Sequence, residues 1–235
     1  MFTKTAQFYD AIYSWKDYAQ EVGRIQTFIQ KYQQPKPEHP TLLDVACGTG
    51  KHLAFFKEDF DCTGVDLDAN MLKVARERYP DISFHEGDMR DFQLDQSFDV
   101  ITCLFSSIGY VKAVEKLQQT IQNFTGHLRK GGLVIVEPSF FAENIQPDTV
   151  HALFVNEPNL KIARMNITRV QGQIILWDFH YLIATLDGVE HVVEHHELAM
   201  FTHQEYTNAF QKAGLDVVFD AEGISGRGLY IGIQT

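Results

Sequence analysis

A glycine-rich turn joins an apolar run to a helical stretch early in the chain. Residues 42–50 read LLDVACGTG, so the run passes Asp44 and ends at Gly48 and Gly50. Glycine lets a ligand approach the backbone closely, and the N–H groups that open a helix favour negative charge. The turn therefore predicts a site for a ligand whose anionic group is small.

Two further segments place acidic residues where parallel strands would end. Asp66 follows Asp44 by 22 residues, and a carboxylate at that point of an α/β sheet accepts hydrogen bonds from ribose hydroxyls. After the third apolar run, the Asp88 carboxylate can accept from an adenine amino group, and the Met89 backbone N–H can donate to a ring nitrogen. Each feature alone also fits a helix cap or a turn. Together, in this order, they describe a nucleoside.

The same segments argue against a dinucleotide. A dinucleotide turn reads G-x-G-x-x-G, whereas this chain has Leu53 at the third glycine position and no basic fork for a pyrophosphate. A short-chain dehydrogenase would need a Tyr-x-x-x-Lys pair after the fourth strand, but the pair with that spacing, Tyr32 and Lys36, precedes the first strand. The ligand predicted is a nucleoside with a charged amino-acid tail and no phosphate, which S-adenosylmethionine fits.

Alternating elements must hold these residues in place. Over residues 41–138, short apolar runs alternate with amphipathic stretches, which predicts a parallel sheet with helical crossovers. Residues 8–33 predict a helical segment, and the proline-rich QQPKPEHP after it predicts a linker. Residues 139–200 carry strand patterns around QG and DG turns, which predicts an antiparallel insertion. Thr202 and Glu205 predict a capping box that begins a helix, with Gly214 ending it and two strands after it.

Composition excludes several classes of protein. The chain has 235 residues, 20 Lys and Arg against 31 Asp and Glu, and a net charge of −11, which repels a nucleic-acid backbone. Three widely spaced cysteines, in apolar runs, predict buried thiols in a reducing compartment. No stretch is apolar enough to span a membrane, and the N-terminus lacks a secretory signal pattern. We therefore expect a cytoplasmic protein that binds neither nucleic acid nor membrane and is a monomer or a homodimer.

Six motifs resemble those of class I S-adenosylmethionine-dependent methyltransferases. They are LLDVACGTGKHL, GDMRDF, TCLFSSIGY, GGLVIVEP, VEHHELAMF and SGRGLYIG. FSSIG, VEHHE and SGRGL are narrower and resemble the N,N-dimethyltransferases of nucleotide-linked amino sugars in desosamine and mycaminose pathways. The resemblance implies a Rossmann-like α/β fold: a seven-stranded sheet whose last strand is antiparallel, with a β insertion that forms part of the substrate site.

The resemblance also implies a division of the chain. We expect an N-terminal helical lid and linker at 1–40, a cofactor-binding core at 41–138, an acceptor-binding insertion at 139–200, and a helix and strands at 201–235 that complete the core. The cofactor-binding residues implied, together with those inferred above, are Tyr9, Tyr18, Asp44, Ala46, Gly48, Gly50, Asp66, Leu67, Asp88, Met89 and Leu104.

The residues after the fourth strand are expected beside the transferred methyl group. We predict Tyr110 and Ser107 as catalytic residues, and Ser106, Glu137 and Arg227 as substrate-binding residues. An arginine in this place could hold a phosphate bidentately. The related sugar enzymes usually have histidine in place of Tyr110 and tryptophans in place of Ser139 and Phe140, so the acceptor sugar could differ.

Two other functions are also consistent with the sequence besides amino-sugar N-methylation. One is an N- or O-methyltransferase of another small metabolite, and another is a protein that binds S-adenosylmethionine without catalysis. The histidines at 180, 191, 195 and 196 suggest a metal, but neighbouring strand residues point to opposite faces and no ligand spacing completes a site. We therefore expect no metal, and at most one of Glu194, His195 and His196 facing the acceptor.

Overall fold

A computed structural model describes residues 5–33 and 38–235. Residues 34–37, in the middle of the predicted linker, and residues 1–4, at the start of the predicted lid, lie outside the described residues. The strands are β1 (Thr41–Val45), β2 (Asp61–Asp66), β3 (Ser83–Glu86), β4 (Phe98–Cys103), β5 (Leu128–Val136), β6 (Val150–Glu157), β7 (Leu160–Gln171), β8 (Ile174–Thr185), β9 (Gly188–Ala199), β10 (Asp216–Asp220) and β11 (Leu229–Ile233).

A seven-stranded sheet forms the centre of the fold. Its strand order is β10-β11-β5-β4-β1-β2-β3. Strands β1 to β5 pair in parallel, whereas β11 is antiparallel to both of its neighbours. The expected Rossmann-like α/β sheet with an antiparallel last strand is therefore confirmed.

The helices cover both faces of this sheet. They are α1 (Tyr9–Ile12), α2 (Tyr18–Tyr32), α3 (Leu53–Phe56), α4 (Ala69–Arg78), α5 (Val114–Gly126) and α6 (His203–Lys212). Neighbouring strand residues alternate between the two faces: Leu42 packs in the cluster that contains α2, whereas Leu43 packs in the cluster that contains α5 and α6. Both clusters are buried, and every residue of the inner strands β1 and β4 is buried, as expected for a sheet covered on two sides.

Two helical predictions differ from the structure in length. The N-terminal segment 8–33 is interrupted, because α1 ends after one turn and the Asp17 side chain accepts from the Gln20 backbone N–H at 2.9 Å, which begins α2 as a new helix. The helical stretch expected after the glycine turn is only the four-residue helix α3. The capping box is present: Thr202 Oγ1 accepts from the Glu205 N–H at 3.2 Å, and Glu205 Oε2 accepts from the Thr202 N–H at 2.7 Å.

Strands β6 to β9 form a separate antiparallel sheet, as the sequence predicts for the insertion. Gly172 takes a φ of +60° in the two-residue turn between β7 and β8, a conformation that glycine adopts without strain. The inner face packs Phe179 and Tyr181 against Ile12 and Tyr13 from α1 and its end. The insertion and the N-terminal segment therefore share one apolar cluster.

None of the helices in the described part of the chain combines the length and apolar character that a membrane crossing requires. Cys47, Cys62 and Cys103 are buried free thiols.

Candidate active site

A cavity of about 1160 Å³ lies between the carboxyl ends of the central strands and the inner face of the second sheet. Residues that follow β1, β2, β3 and β4 form one end of it, and residues of the N-terminal segment cover it. The predicted site residues that line the cavity are Tyr9, Ala46, Gly48, Asp66, Leu67, Asp88, Met89, Ser106, Ser107, Tyr110 and Arg227.

The glycine turn and the end of β2 are joined by one carboxylate. Asp66 Oδ2 accepts from the Gly48 N–H at 2.7 Å, and its Oδ1 accepts from the Asp68 N–H at 2.8 Å. Burial raises the pKa of Asp66. Each carboxylate oxygen has a second lone pair, so Asp66 keeps capacity to accept from a ligand hydroxyl in the cavity.

The two glycines of the turn have different roles. Gly48 has a φ of +56°, lines the cavity, and an added Cβ would meet no protein atom within 4 Å. An added Cβ at Gly50 would lie 3.1 Å from the Phe84 ring and 3.2 Å from the Tyr79 ring. Gly48 thus provides an open backbone surface of the kind a ligand tail needs, whereas Gly50 permits packing beneath it.

Asp44 lies under the turn and is not part of the cavity wall. It is 2% exposed, and its carboxylate accepts from Thr102 Oγ1 at 2.7 Å. Burial raises the pKa of Asp44 to about 6. From this position Asp44 connects the ends of β1 and β4, which are adjacent in the sheet.

Asp88 reaches the cavity with its carboxylate bound to Arg90. The Arg90 Nε donates to Asp88 Oδ1 at 2.8 Å, and the Arg90 backbone N–H donates to the same oxygen at 3.0 Å. These hydrogen bonds from Arg90 lower the pKa of Asp88. Asp88 is therefore a fixed, ionised acceptor beside Met89, the arrangement that an adenine amino group would need.

The N-terminal segment is bound to the glycine turn by polar contacts. Asp10 accepts from Thr49 Oγ1 at 2.7 Å, lies 3.8 Å from Lys51 Nζ, and is paired with Arg78. Next to it, the Tyr9 and Tyr13 rings lie 4.7 Å apart, and both line the cavity. These contacts hold α1 over the turn.

Tyr18 lies outside the cavity, on the other side of the turn. Its ring contacts the His52 ring edge to face at 4.9 Å, and His52 Nε2 is 2.8 Å from Glu21 Oε2. Lys16 pairs with the same carboxylate. This buried group attaches α2 to the residues that precede α3.

The backbone after β4 takes a left-handed conformation at two successive residues. Phe105 and Ser106 have φ values of +54° and +63°, which non-glycine residues rarely adopt. The Phe105 N–H donates to Glu137 Oε2 at 2.7 Å. Ser106 and Ser107 thereby turn toward the cavity, whereas Leu104, just before them, is buried in the core.

Glu137 organises this region from within the protein. It is fully buried, and Oε1 accepts from Arg227 Nη2 at 2.9 Å and Nε at 3.2 Å, and from the Ser225 hydroxyl. The Arg227 guanidinium also lies 5.5 Å from the Phe105 ring centre and 5.4 Å from that of Phe140. Arg227 lines the cavity, and Glu137 fixes its direction.

Two aromatic residues add to the cavity wall near Arg227. Phe140 and Trp177 are edge to face with ring centres 5.6 Å apart, and Trp177 Nε1 donates to Thr168 Oγ1 at 3.0 Å. Ser139, by contrast, is buried, and its N–H donates to the Tyr206 hydroxyl at 3.1 Å. Phe140 therefore lines the cavity, whereas Ser139 lies in the core.

Tyr110 forms a hydrogen bond with a histidine of the second sheet. Its hydroxyl lies 2.6 Å from His196 Nδ1, and His196 is 2% exposed. His195 is exposed, and its ring lies 2.6 Å from Asp178. Of Glu194, His195 and His196, it is His195 that lines the cavity. Among the described residues no cluster of three or more His, Cys, Asp or Glu is arranged to hold a metal ion.

Five predicted site residues do not line the cavity: Tyr18, Asp44, Gly50, Leu104 and Glu137. The wall also contains residues that the sequence did not single out for the site, namely Asn166, Thr168, Trp177 and Arg164, all from β7 and β8. The alternation of inward and outward residues on these strands is the signal that could have found them. This alternation identifies the cavity-facing residues only once the pairing register of β7 and β8 is known.

The chain is similar to known methyltransferases. A family profile described as a methyltransferase domain matches residues 42–132. The chain is 38% identical over 232 residues to a dTDP-3-amino-3,6-dideoxy-alpha-D-glucopyranose N,N-dimethyltransferase of Streptomyces fradiae, covering 97% of this chain and 90% of the relative.

Two solved structures are similar over nearly the full length. Streptomyces venezuelae DesVI has a TM-score of 0.91 and 38% identity, covering 99% of both chains. The structure of SAM-bound CalS10, an amino pentose methyltransferase from Micromonospora echinaspora, has a TM-score of 0.83 and 32% identity, covering 94% of this chain and 92% of that chain. S-adenosylmethionine is thus the methyl donor.

A methyl group added at Gly48 should obstruct the donor. In Gly48→Ala we expect stability to fall by about 1–2 kcal/mol, because alanine disfavours positive φ, and S-adenosylmethionine affinity to fall at least ~10-fold, about 1.4 kcal/mol. Gly172→Ala is the matched control, since Gly172 has a φ of +60° and equally open surroundings in a distant turn. Calorimetric titration and urea unfolding measure both effects. Equal affinity in the two variants would show that the donor does not approach Gly48.

Proposed function

The chain belongs to the family of S-adenosylmethionine-dependent amino-sugar N-methyltransferases, and from this premise we propose that it dimethylates the amine of a sugar linked to a nucleoside diphosphate. The observation that supports this acceptor best is the position of Arg227. Its cation lies on the cavity wall, 5.4 Å from the centre of the Phe140 ring. A cation beside aromatic rings suits the phosphates and base of a nucleotide.

The donor, when bound, supplies a methyl group on a positively charged sulfur for in-line displacement. The backbone at Gly48 accommodates its amino-acid tail, Asp66 accepts from its ribose, and Asp88 with Met89 binds its adenine. Tyr110 and Ser107 line the same cavity, where they orient the acceptor amine. Tyr9 and Tyr13 cover the cavity and exclude water, so that the chain contributes mainly alignment and desolvation.

Several residues act from behind the wall. Asp44 keeps the ends of β1 and β4 together through Thr102, and Gly50 leaves room for Phe84 beneath the turn. Glu137 aims Arg227 by accepting from one edge of its guanidinium. The remaining Arg227 N–H groups stay available for phosphate oxygens, because a guanidinium carries five N–H donors.

The net charge of −11 favours a small acceptor over a nucleic acid. The buried free cysteines suit a reducing compartment, so we place the reaction in the cytoplasm.

The direct test of this function is product analysis by mass spectrometry. We expect the protein, given S-adenosylmethionine and dTDP-3-amino-3,6-dideoxyglucose, to yield a species heavier by one and then by two methylene units. The matched hydroxyl sugar and the free amino sugar without nucleotide serve as controls. Methylation of the hydroxyl analogue in preference to the amine would favour O-methylation instead. No methylation of any nucleotide-linked amino sugar by protein that binds the donor would contradict the proposal.

Replacing Arg227 should weaken binding of the acceptor and leave binding of the donor unchanged. Arg227→Gln keeps an N–H donor for Glu137 but removes the charge, so we expect the acceptor KM to rise about 10- to 100-fold, the loss of one charge-assisted hydrogen bond or two. The dissociation constant of S-adenosylmethionine should stay within about twofold. Arg24→Gln is the control, because Arg24 pairs with Asp220 and Glu222 on the surface. An unchanged acceptor KM in Arg227→Gln would remove Arg227 from the phosphate site.

A further inference from the structure

Tyr110, His196 and Glu194 form a buried polar series that leads away from the cavity. The Tyr110 hydroxyl lies 2.6 Å from His196 Nδ1, and His196 Nε2 lies 3.9 Å from Glu194 Oε2. The His196 and Glu194 side chains are 0% and 3% exposed. Only Tyr110 of the three lines the cavity. The series therefore connects the acceptor position with a titratable group that water does not reach.

The position of Glu194 fixes which ring nitrogen carries the proton. A carboxylate attracts the protonated nitrogen of an imidazole, so Nε2, which faces Glu194, holds the hydrogen of neutral His196. Nδ1 is then an acceptor, and it takes the hydrogen bond from the Tyr110 hydroxyl. Burial lowers the pKa of His196, which keeps it neutral at physiological pH. Burial also raises the pKa of Tyr110, which keeps the phenol protonated.

The hydrogen bond from Tyr110 to His196 determines what the Tyr110 oxygen presents to the cavity. Because Tyr110 donates its hydrogen to His196, its oxygen offers only lone pairs to the cavity. An acceptor amine can donate an N–H to this oxygen, whereas a hydrogen-bond acceptor in that place would find no donor on Tyr110. The site thus distinguishes an amine that carries hydrogens from a fully substituted one.

The acceptor amine needs such a partner, because only a neutral amine can attack a methyl group. An ammonium ion has no lone pair until one proton leaves. After the first transfer the product nitrogen again carries a positive charge, so a second methylation needs a second deprotonation.

We propose that Tyr110 and His196 form a proton relay, in which Tyr110 contacts the amine and His196 accepts the proton through Tyr110. The ammonium N–H bond breaks and its proton joins the Tyr110 oxygen, while the Tyr110 O–H bond breaks and its proton joins His196 Nδ1. The nitrogen keeps the electron pair that attacks the methyl group. His196 becomes an imidazolium beside the Glu194 carboxylate, and it returns the proton to water by the reverse path when product is exchanged. This inference rests on the proposed N-methylation.

The surroundings set the strength of this base. Among the described residues, the charged or titratable groups that act on the pair include Tyr9, Tyr13, Asp66, Arg164, Tyr181 and Glu194. Arg164 disfavours the imidazolium and Glu194 favours it. Glu194 is held in place by the N-terminal segment, since it accepts from the Thr5 N–H at 3.1 Å and from Thr5 Oγ1 at 2.9 Å. Docking of the N-terminal segment therefore also completes the relay.

The test is the pH profile of kcat/KM for the acceptor in His196→Asn. An asparagine oxygen can still accept from Tyr110 but cannot take a proton. Below the pKa of the acceptor amine, measured in the same buffers, we expect the kcat/KM of the variant to fall about tenfold per pH unit, because only neutral amine then reacts. The kcat/KM of the wild type should stay nearly constant over the same pH range. Above the pKa of the amine, the kcat/KM values of wild type and variant should agree within about threefold.

A second variant and a control keep the outcome interpretable. Tyr110→Phe leaves His196 in place but removes the hydroxyl that links it to the amine, so kcat/KM should fall with decreasing pH as steeply as in His196→Asn. The kcat/KM of the double variant should fall no further than that of either single variant. His191→Asn, on the exposed part of the same strand, should keep the wild-type profile. Titration with S-adenosylmethionine checks that each variant is folded.

Three outcomes would decide against the relay or its premise. A loss in His196→Asn that is equal at every pH would mean that His196 is only structural. A wild-type profile that itself falls tenfold per pH unit would mean that no relay operates. A wild type that methylates no amine at any pH would overturn the proposed function instead, so the two failures are distinguishable.

Discussion

The order of the central strands reverses beside β1, and the site depends on this reversal. Chain order runs outward from β1 through β2 to β3 on one side and through β4 to β5 on the other. Crossover connections therefore leave β1 in opposite directions, which opens a crevice at the carboxyl ends of the strands. Asp66 bridges one side of the crevice by accepting from Gly48, and Asp44 bridges the other by accepting from Thr102.

The second constraint is the attachment of the N-terminal segment to three separate parts of the site. Asp10 binds Thr49 in the glycine turn, and Glu21 binds His52 before α3. Thr5 binds Glu194 in the second sheet. Buried polar contacts of this kind are costly to break, because each lost partner leaves a desolvated group. One short segment thus holds the cofactor turn and the acceptor sheet in a single arrangement.

The elements of the fold could be predicted from the sequence because their signals are local. Apolar strands, the Thr202–Glu205 capping box and the turns at Gly172 and Gly188 each depend on a few neighbouring residues. The cavity residues near β1, β2 and β3 could also be predicted, since the carboxyl ends of parallel strands meet at one edge. Asp66 and Asp88 both lie there.

The remaining features of the site could not be predicted, because they depend on contacts between residues far apart in the chain. Tyr110 and His196 are separated by 86 residues, and only the folded structure shows that His196 is buried beside Tyr110 whereas His195 lies on the cavity wall. Glu137 resembles a wall residue in sequence, yet it faces into the protein and binds Arg227 across 90 residues. A carboxylate at the end of a strand can face a ligand or another side chain, and the sequence does not distinguish the two.

The central claim is that the crevice beside β1 binds S-adenosylmethionine, and calorimetric titration of the purified chain, freed of bound ligand, tests it most directly. The account predicts saturable binding of one S-adenosylmethionine per chain, with no heat from NADH under the same conditions. Binding of NADH but not of S-adenosylmethionine, by protein whose folding is verified by circular dichroism, would contradict it.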